Sequence, residues 1–102
     1  MSIKLDKYSF QGPYLSIDKI KDRSGIYAVV CEVDNEFFLL DVGDISKLRK
    51  GIENNDPKKC WMKNNKGKLT FYIHRTLFLK QRGKDLIEQG LRELYQPVCG
   101  RD

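Results

Sequence analysis

The feature that most constrains the fold is a nearly continuous apolar run from Ile26 to Val33, followed closely by a second apolar stretch, Phe37 to Val42. The first run is rich in β-branched and aromatic residues, which is typical of a strand buried on both faces. Asp34 and Asn35, between the two stretches, both tolerate left-handed backbone geometry and favour a tight turn. The sequence therefore predicts an antiparallel β-hairpin.

Turns and helix caps divide the rest of the chain into short segments. Asp44 or Ser46 is a candidate N-cap for a short helix, and Pro57 lies beyond its end. The predicted segments are a short strand and turn within residues 8–24, a helix near 44–52, a basic loop at 58–68, a strand at 69–76 and a helix at 83–95. This order predicts a single α+β domain over residues 1–102, with a small, mainly antiparallel, three-stranded sheet and flanking helices.

Composition narrows the class of protein. A chain of 102 residues that is 40% hydrophobic and 32% charged resembles an ordinary globular domain. No apolar run approaches the roughly 20 residues that cross a bilayer, and the N-terminal residues lack a secretory signal, so no membrane partner and a cytoplasmic location are expected.

The three cysteines form no CxxC or Cys/His cluster, and neither zinc nor a disulfide framework is expected. The net charge of +5 suits a polyanionic partner such as nucleic acid, although many basic proteins bind none.

Several short motifs follow one another at suitable separations. They are Gly12-Pro13-Tyr14, Gly25-Ile26-Tyr27, Val42-Gly43, Cys60-Trp61 and Glu88-x-x-Leu91-x-x-x-Tyr95-x-Pro97-x-Cys99. This ordered set resembles small stand-alone proteins of the GIY-YIG nuclease superfamily. A three-residue motif alone is weak evidence, whereas an ordered set in register with the hairpin and the last helix is much stronger.

The resemblance implies a DNA endonuclease that uses one divalent ion, Mg²⁺ or Mn²⁺. In that superfamily a glutamate binds the metal, a tyrosine helps to activate the attacking water, and an arginine on the first helix neutralises charge on the phosphoryl group. This is Lewis-acid catalysis combined with electrostatic stabilisation of the transition state. Glu88 matches the metal-binding glutamate, Tyr27 matches the tyrosine of GIY, and Gly43 matches the glycine that lets the chain turn into the helix.

Four positions depart from the family pattern. Asp41 replaces the second tyrosine, Gly51 stands where arginine is usual, Asn55 replaces a histidine and Gly100 replaces an asparagine. Losing a transition-state donor commonly costs on the order of 10²–10³ in rate. Two functions therefore remain open: an endonuclease of reduced activity, or an inactive domain that binds nucleic acid or another protein.

Two cations close to Gly51 are candidate substitutes for the missing arginine. Arg49 precedes Gly51 by two residues, a helical rotation of about 200°, so it points away from that side. Lys47 lies about one turn earlier on the same side and supplies a point charge rather than a bidentate fork. Lys47 is the preferred phosphate contact, and a two-residue shift of the alignment would restore Arg49.

Each candidate catalytic residue also has a structural explanation. Asp41 is a candidate second metal ligand or general base, but the favoured explanation is a helix cap or the partner of a lysine. Glu88 is favoured as the metal ligand over membership of a surface ion-pair ladder with Lys84 and Arg92. Tyr27 is equally well explained as a core tyrosine with a locally bonded hydroxyl.

Further candidate contacts to nucleic acid lie around Trp61. Its ring could stack on a base while Lys58, Lys59 and Lys63 contact phosphates. Alternatively, Trp61 fills the core beneath a long loop and the lysines form a solvated surface. His74, the only histidine, lies on the predicted outer face of its strand and is expected to be exposed or to line a groove.

Overall fold

A computed structural model describes residues 1–50 and 57–99, except for the side chains of residues 49 and 50. Within these residues the chain forms five β-strands and three α-helices. In chain order they are β1 (Ser2–Leu5), β2 (Tyr8–Tyr14), β3 (Gly25–Val33), β4 (Glu36–Asp44), α1 (Ile45–Lys50), α2 (Pro57–Asn64), β5 (Lys68–Arg75) and α3 (Gln81–Tyr95). None of these helices has the length and apolar composition that a bilayer-spanning segment needs.

All five strands form one antiparallel sheet in the order β1-β2-β5-β3-β4. The predicted α+β class is confirmed, but the predicted number of three strands is wrong. The N-terminal residues form a second hairpin, in which Ile3 lies opposite Phe10 and Leu5 lies opposite Tyr8. Its apolar residues alternate with polar ones, which gives each short strand a much weaker signal than the fully apolar β3.

The predicted central hairpin is confirmed. Asp34 and Asn35 both adopt left-handed geometry, with φ of 52° and 66°. The apolar run of β3 is buried on both faces, as its composition predicts. Tyr27, Val29 and Cys31 face one core cluster, and the alternate residues between them face the other.

A β-bulge in β4 decides which way Asp41 points. Pairing runs from Val33 opposite Glu36 to Val30 opposite Leu39, but the next pair is Val29 opposite Asp41. The extra residue moves Asp41 from the face of Ala28 to the face of Val29, because directly opposed residues share a face of the sheet. Asp41 therefore faces the first core cluster together with Trp61.

Helices cover both faces of the sheet. The first face packs against α2, through Trp61, and against the turn Ile17–Lys19. The second face packs against α3, whose Ile87 and Leu91 are buried there. The basic segment 58–68, predicted to be a loop, contains most of α2, so that prediction is wrong. The sequence shows no helical spacing of apolar residues here, because α2 buries only one side chain, that of Trp61.

The segment after α3 is bonded to the edge strand β4. The Cys99 N–H donates to the Leu40 carbonyl oxygen at 2.8 Å. Cys99 also forms a disulfide with Cys60 of α2, whereas Cys31 is a buried free thiol. A disulfide framework was not expected, and this single bond was missed because tertiary structure joins two cysteines that are 39 residues apart and carry no local motif.

The disulfide gives the first testable prediction. Denatured protein should titrate one thiol before reduction and three after it, because only Cys31 is free. The Cys60→Ser/Cys99→Ser variant should lose about 2–4 kcal/mol of unfolding free energy, since the bridge no longer restricts the unfolded chain. Thiol titration and urea denaturation measure the two effects. Three reactive thiols in the unreduced protein would contradict the pairing, and Cys31→Ala should remove the single thiol.

Candidate functional site

Asp41 is a carboxylate enclosed in the core, with a relative exposure of 1%. Trp61 Nε1 donates to its Oδ2 at 2.8 Å, and Arg92 Nη2 lies 3.1 Å from its Oδ1. The favoured explanation for Asp41, a helix cap or the partner of a lysine, is therefore wrong. Its two oxygens face the tryptophan and the arginine rather than solvent, which leaves neither open to a metal ion or a catalytic water.

Arg92 joins three parts of the fold. Its guanidinium donates to the backbone carbonyls of Val42 in β4 and Cys99 in the C-terminal segment. Its Nε lies 3.3 Å from Glu88 Oε2 within α3. Because Nη2 directs its hydrogen bond to Val42, its approach to Asp41 Oδ1 is an ion pair without an aligned hydrogen bond. We call Trp61, Asp41, Arg92 and Glu88 the Asp41–Arg92 cluster.

The protonation of Asp41 is coupled to folding. Burial raises the pKa of its carboxyl above the ordinary value, and the hydrogen bond from Trp61 and the charge of Arg92 only partly oppose this shift. Between the ordinary and the raised pKa, the folded chain holds the proton more tightly than the unfolded chain. The contribution of Asp41 to the unfolding free energy therefore increases as pH falls through that window.

Glu88 and Lys47 line the same open cleft, which has a volume of about 650 Å³. Lys47 Nζ lies 3.1 Å from Asp85 Oδ1, and this hydrogen bond raises the pKa of the lysine. The cleft walls also contain Arg92 and Glu93, so three carboxylates accompany two cations. The structure thus brings the two predicted residues together, but in a cleft with no excess of positive charge among its described lining residues.

Asp44 fastens α1 to α3 beside this cleft. It accepts hydrogen bonds from the backbone and hydroxyl of Ser46, which confirms Asp44 as the helix cap. Its other oxygen accepts from Gln81 Nε2, which also donates to Asp85. Burial acts to raise the pKa of Asp44, but the hydrogen bonds from Ser46 and Gln81 outweigh it and hold the pKa below its ordinary value.

Tyr27 lies in the core rather than in the cleft. Its ring packs edge-on against Trp61 at 5.6 Å between centroids, and its side chain is buried. A Cβ at Gly43 would overlap the Tyr27 hydroxyl, so the glycine makes room for the phenol. The match between Gly43 and the family motif therefore has a packing cause in this fold.

Glu88, the magnesium ligand that the resemblance implies, is engaged in an ion pair. The Glu88 carboxylate already faces a cation, the Arg92 guanidinium, which would repel a second cation at the same oxygens. Among residues 1–50 and 57–99, no three His, Cys, Asp or Glu side chains converge on a common point. Mg²⁺ prefers several oxygen ligands in octahedral geometry.

The remaining predicted contacts divide between the core and two surfaces. Trp61 is 1% exposed and lies between Tyr27 and Phe71, so base stacking on its ring is wrong and the core alternative is correct. Exposed side chains on α2 include those of Lys58, Lys59 and Lys63. His74 is half-buried between the Tyr8 and Phe10 rings, with Nδ1 2.9 Å from the Ser9 carbonyl oxygen.

His74 lines a different depression from Glu88, one formed by β2 and β5. It therefore borders a groove, as predicted, but lies away from the other candidates. The prediction that its face of β5 is the outer one is wrong, because Thr70 and Tyr72 on that face are fully buried. The Arg49 side chain and the family positions Gly51, Asn55 and Gly100 lie outside the described residues. The role of Arg92 at Asp41 was missed in the sequence, where its only signal was a spacing of four from Glu88.

Comparison of the chain with protein-family models, with curated proteins and with solved structures finds no significant match. The relationship to GIY-YIG nucleases therefore stays a prediction based on the sequence motifs.

The Asp41–Arg92 cluster gives a prediction for stability. Asp41→Ala should lower the free energy of unfolding by about 3 kcal/mol, because it leaves the buried Trp61 N–H without an acceptor and removes the buried carboxylate beside the Arg92 charge. Asp41→Asn should cost less, since an amide oxygen can still accept from Trp61. Urea denaturation followed by the fluorescence of the lone tryptophan measures both variants. The exposed Glu36→Ala is the control, and an Asp41→Ala protein as stable as this control would contradict the prediction.

Proposed function

We propose that the protein binds nucleic acid, and DNA in particular, through a basic face on α2 and the connection to β5. The lysines of this segment, all of them exposed, are Lys58, Lys59, Lys63, Lys66 and Lys68. Residues 57–68 contain no Asp or Glu, and the Lys and Arg residues elsewhere equal the acidic residues in number. This short segment therefore accounts for the whole net charge of +5, which is the observation that carries the proposal.

The helix under the basic face is held from its inner side. Lys59 and Lys63 are one turn apart, whereas Trp61 points in the opposite direction into the core. The indole N–H of Trp61 binds Asp41, and the neighbouring Cys60 is bonded to Cys99. This anchoring fixes the helix that carries the lysines, which therefore suit contacts to phosphates. Such contacts position a duplex but do not read its base sequence.

The candidate catalytic groups support binding over cleavage. Tyr27 is packed in the core, Asp41 is enclosed, and Glu88 is paired with Arg92. Lys47 is paired with Asp85. A site that cleaves phosphodiesters needs groups that are free to meet the substrate and the charge that develops on it.

A metal-dependent endonuclease is the second candidate function. One observation favours it: Lys47 and Glu88, the predicted phosphate contact and metal ligand, line the same open cleft. In this alternative, Glu88 would hold Mg²⁺ or Mn²⁺ and Tyr27 would act from the neighbouring core through its hydroxyl. Arg92 would first have to leave the Glu88 carboxylate.

Neutralising part of the basic face tests the first proposal. Lys59→Gln/Lys63→Gln should weaken binding to duplex DNA roughly tenfold and lower the slope of log K against log salt by about 2, because two phosphate contacts are lost. Fluorescence anisotropy at several salt concentrations gives both quantities. Lys4→Gln/Lys7→Gln removes the same charge from the hairpin at the opposite edge of the sheet and is the control.

Equal losses in the two double variants would show that only net charge matters and would contradict a defined basic face. A plasmid-nicking assay with Mg²⁺ or Mn²⁺ separates the two functions. The binding proposal expects intact plasmid at DNA concentrations that saturate the protein. Nicking that Glu88→Ala abolishes would establish the endonuclease instead.

A further inference from the structure

The disulfide between Cys60 and Cys99 ties α2 to a segment that is itself fastened to the sheet. Cys60 lies within α2, and Cys99 follows α3. The Cys99 N–H donates to the Leu40 carbonyl oxygen of β4, and the Cys99 carbonyl oxygen accepts from Arg92 of α3. The helix that carries the lysines of the basic face is therefore bonded covalently to a segment held by both β4 and α3.

Trp61 is the other main anchor of α2. It is the one side chain of this helix that is fully buried, and its ring packs between those of Tyr27 and Phe71. While the disulfide is closed, displacing α2 from the sheet also displaces the Cys99 segment from β4. Once the disulfide is reduced, α2 can open alone, losing only its own contacts. Such local opening costs less free energy than opening a larger unit.

The surroundings of the two sulfur atoms favour thiol exchange. Cys60 is half-buried, whereas Cys99 is 1% exposed, so an attacking thiolate reaches Cys60 first. Asn64 Nδ2 lies 3.4 Å from Cys60 Sγ and 3.8 Å from Cys99 Sγ, where it can donate to either sulfur. Residues 57–68 also contain five lysines and no acidic residue. Hydrogen-bond donors and neighbouring cations stabilise a released thiolate, and a more stable leaving thiolate makes exchange faster.

We propose that the Cys60–Cys99 disulfide is a redox switch that sets how firmly α2 is held and thereby the affinity for DNA, the second part resting on the proposed function. The reductant is a dithiol. One of its thiolates attacks Cys60 Sγ and displaces Cys99 Sγ, and its second thiolate then displaces Cys60 Sγ from the mixed disulfide. Two electrons pass from the dithiol, which becomes a disulfide, and its two protons end on the two cysteine sulfurs.

The third cysteine takes no part in the switch and supplies a matched control. Cys31 is 2% exposed, its thiol donates to Asn65 Oδ1, and its sulfur accepts from the Lys66 N–H. This enclosed thiol is not part of the bridge. Cys31→Ala therefore removes one sulfur atom but leaves the Cys60–Cys99 bond in place.

Hydrogen exchange measures the hold on α2 without reference to DNA. The protein is compared before and after reduction with dithiothreitol, at labelling times during which β3 stays protected in both states. The hydrogen-bonded amides of α2, residues 61–64, should exchange at least about tenfold faster after reduction. Because protected β3 amides show that the sheet remains folded, a general loss of stability cannot produce this difference.

DNA affinity measures the consequence for the basic face. Reduction should raise the Kd for duplex DNA about fivefold, because the lysines lose their fixed arrangement. The slope of log K against log salt should stay the same, since no charge is removed. Cys60→Ser/Cys99→Ser should bind like the reduced protein and should not respond to dithiothreitol, whereas Cys31→Ala should respond like the wild type.

Several results would overturn the switch. They are a bridge that dithiothreitol does not reduce in the folded protein, α2 amides that exchange equally in both states, and α2 amides that exchange faster only when β3 does. Faster exchange of α2 with an unchanged Kd would overturn its control of DNA binding. Absence of DNA binding in both states would contradict the proposed function instead, and the exchange of α2 would still decide whether the disulfide controls this helix.

Discussion

The ion pair between Asp41 and Arg92 connects the two layers of helix that cover the sheet. Asp41 faces the side of α2, where it accepts from Trp61, while Arg92 belongs to α3 on the other side. The guanidinium also binds a backbone carbonyl of the edge strand β4 and another of the C-terminal segment. A buried carboxylate is tolerated only with partners that compensate for its lost hydration, and Trp61 and Arg92 provide them. The bond to Val42 also occupies one carbonyl of the edge strand, where unpaired backbone groups invite pairing with another chain.

This interaction also shapes what the candidate site can do. In a nuclease of the type that the motifs resemble, the glutamate needs a metal ion as its counter-charge. Here Glu88 and Asp41 share Arg92, so a fixed cation already lies beside the Glu88 carboxylate. Asp41, at the position where the resembled motif has its second tyrosine, instead lies beside an arginine that joins separate parts of the fold. The lysines of α2 take no part in the ion pairs of Arg92. Their position nevertheless depends on this arrangement, because Trp61 links α2 to Asp41.

The sequence predicted those features that a single local pattern specifies. The apolar run of β3, the Asp34-Asn35 turn, the Asp44 cap and the helical spacing of Ile87 and Leu91 all led to correct elements. The features that were missed depend on residues far apart in the chain. One extra residue in β4 reverses the face of the sheet to which Asp41 points, and no local sequence pattern indicates such a bulge. The Cys60–Cys99 bond and the reach of Arg92 to β4 arise only when the helices dock.

A double-mutant cycle between Asp41 and Arg92 tests the central claim most directly. The variants Asp41→Asn, Arg92→Gln and their combination are compared with the wild type by urea denaturation. The account predicts a coupling free energy of about 2 kcal/mol, because Arg92→Gln leaves the buried Asp41 carboxylate without its cation, a cost that vanishes once Asp41 is already Asn. The same cycle on the exposed Lys47 and Asp85 should give a much smaller coupling. Additive losses at Asp41 and Arg92 would contradict the claim that this ion pair joins the two sides of the sheet.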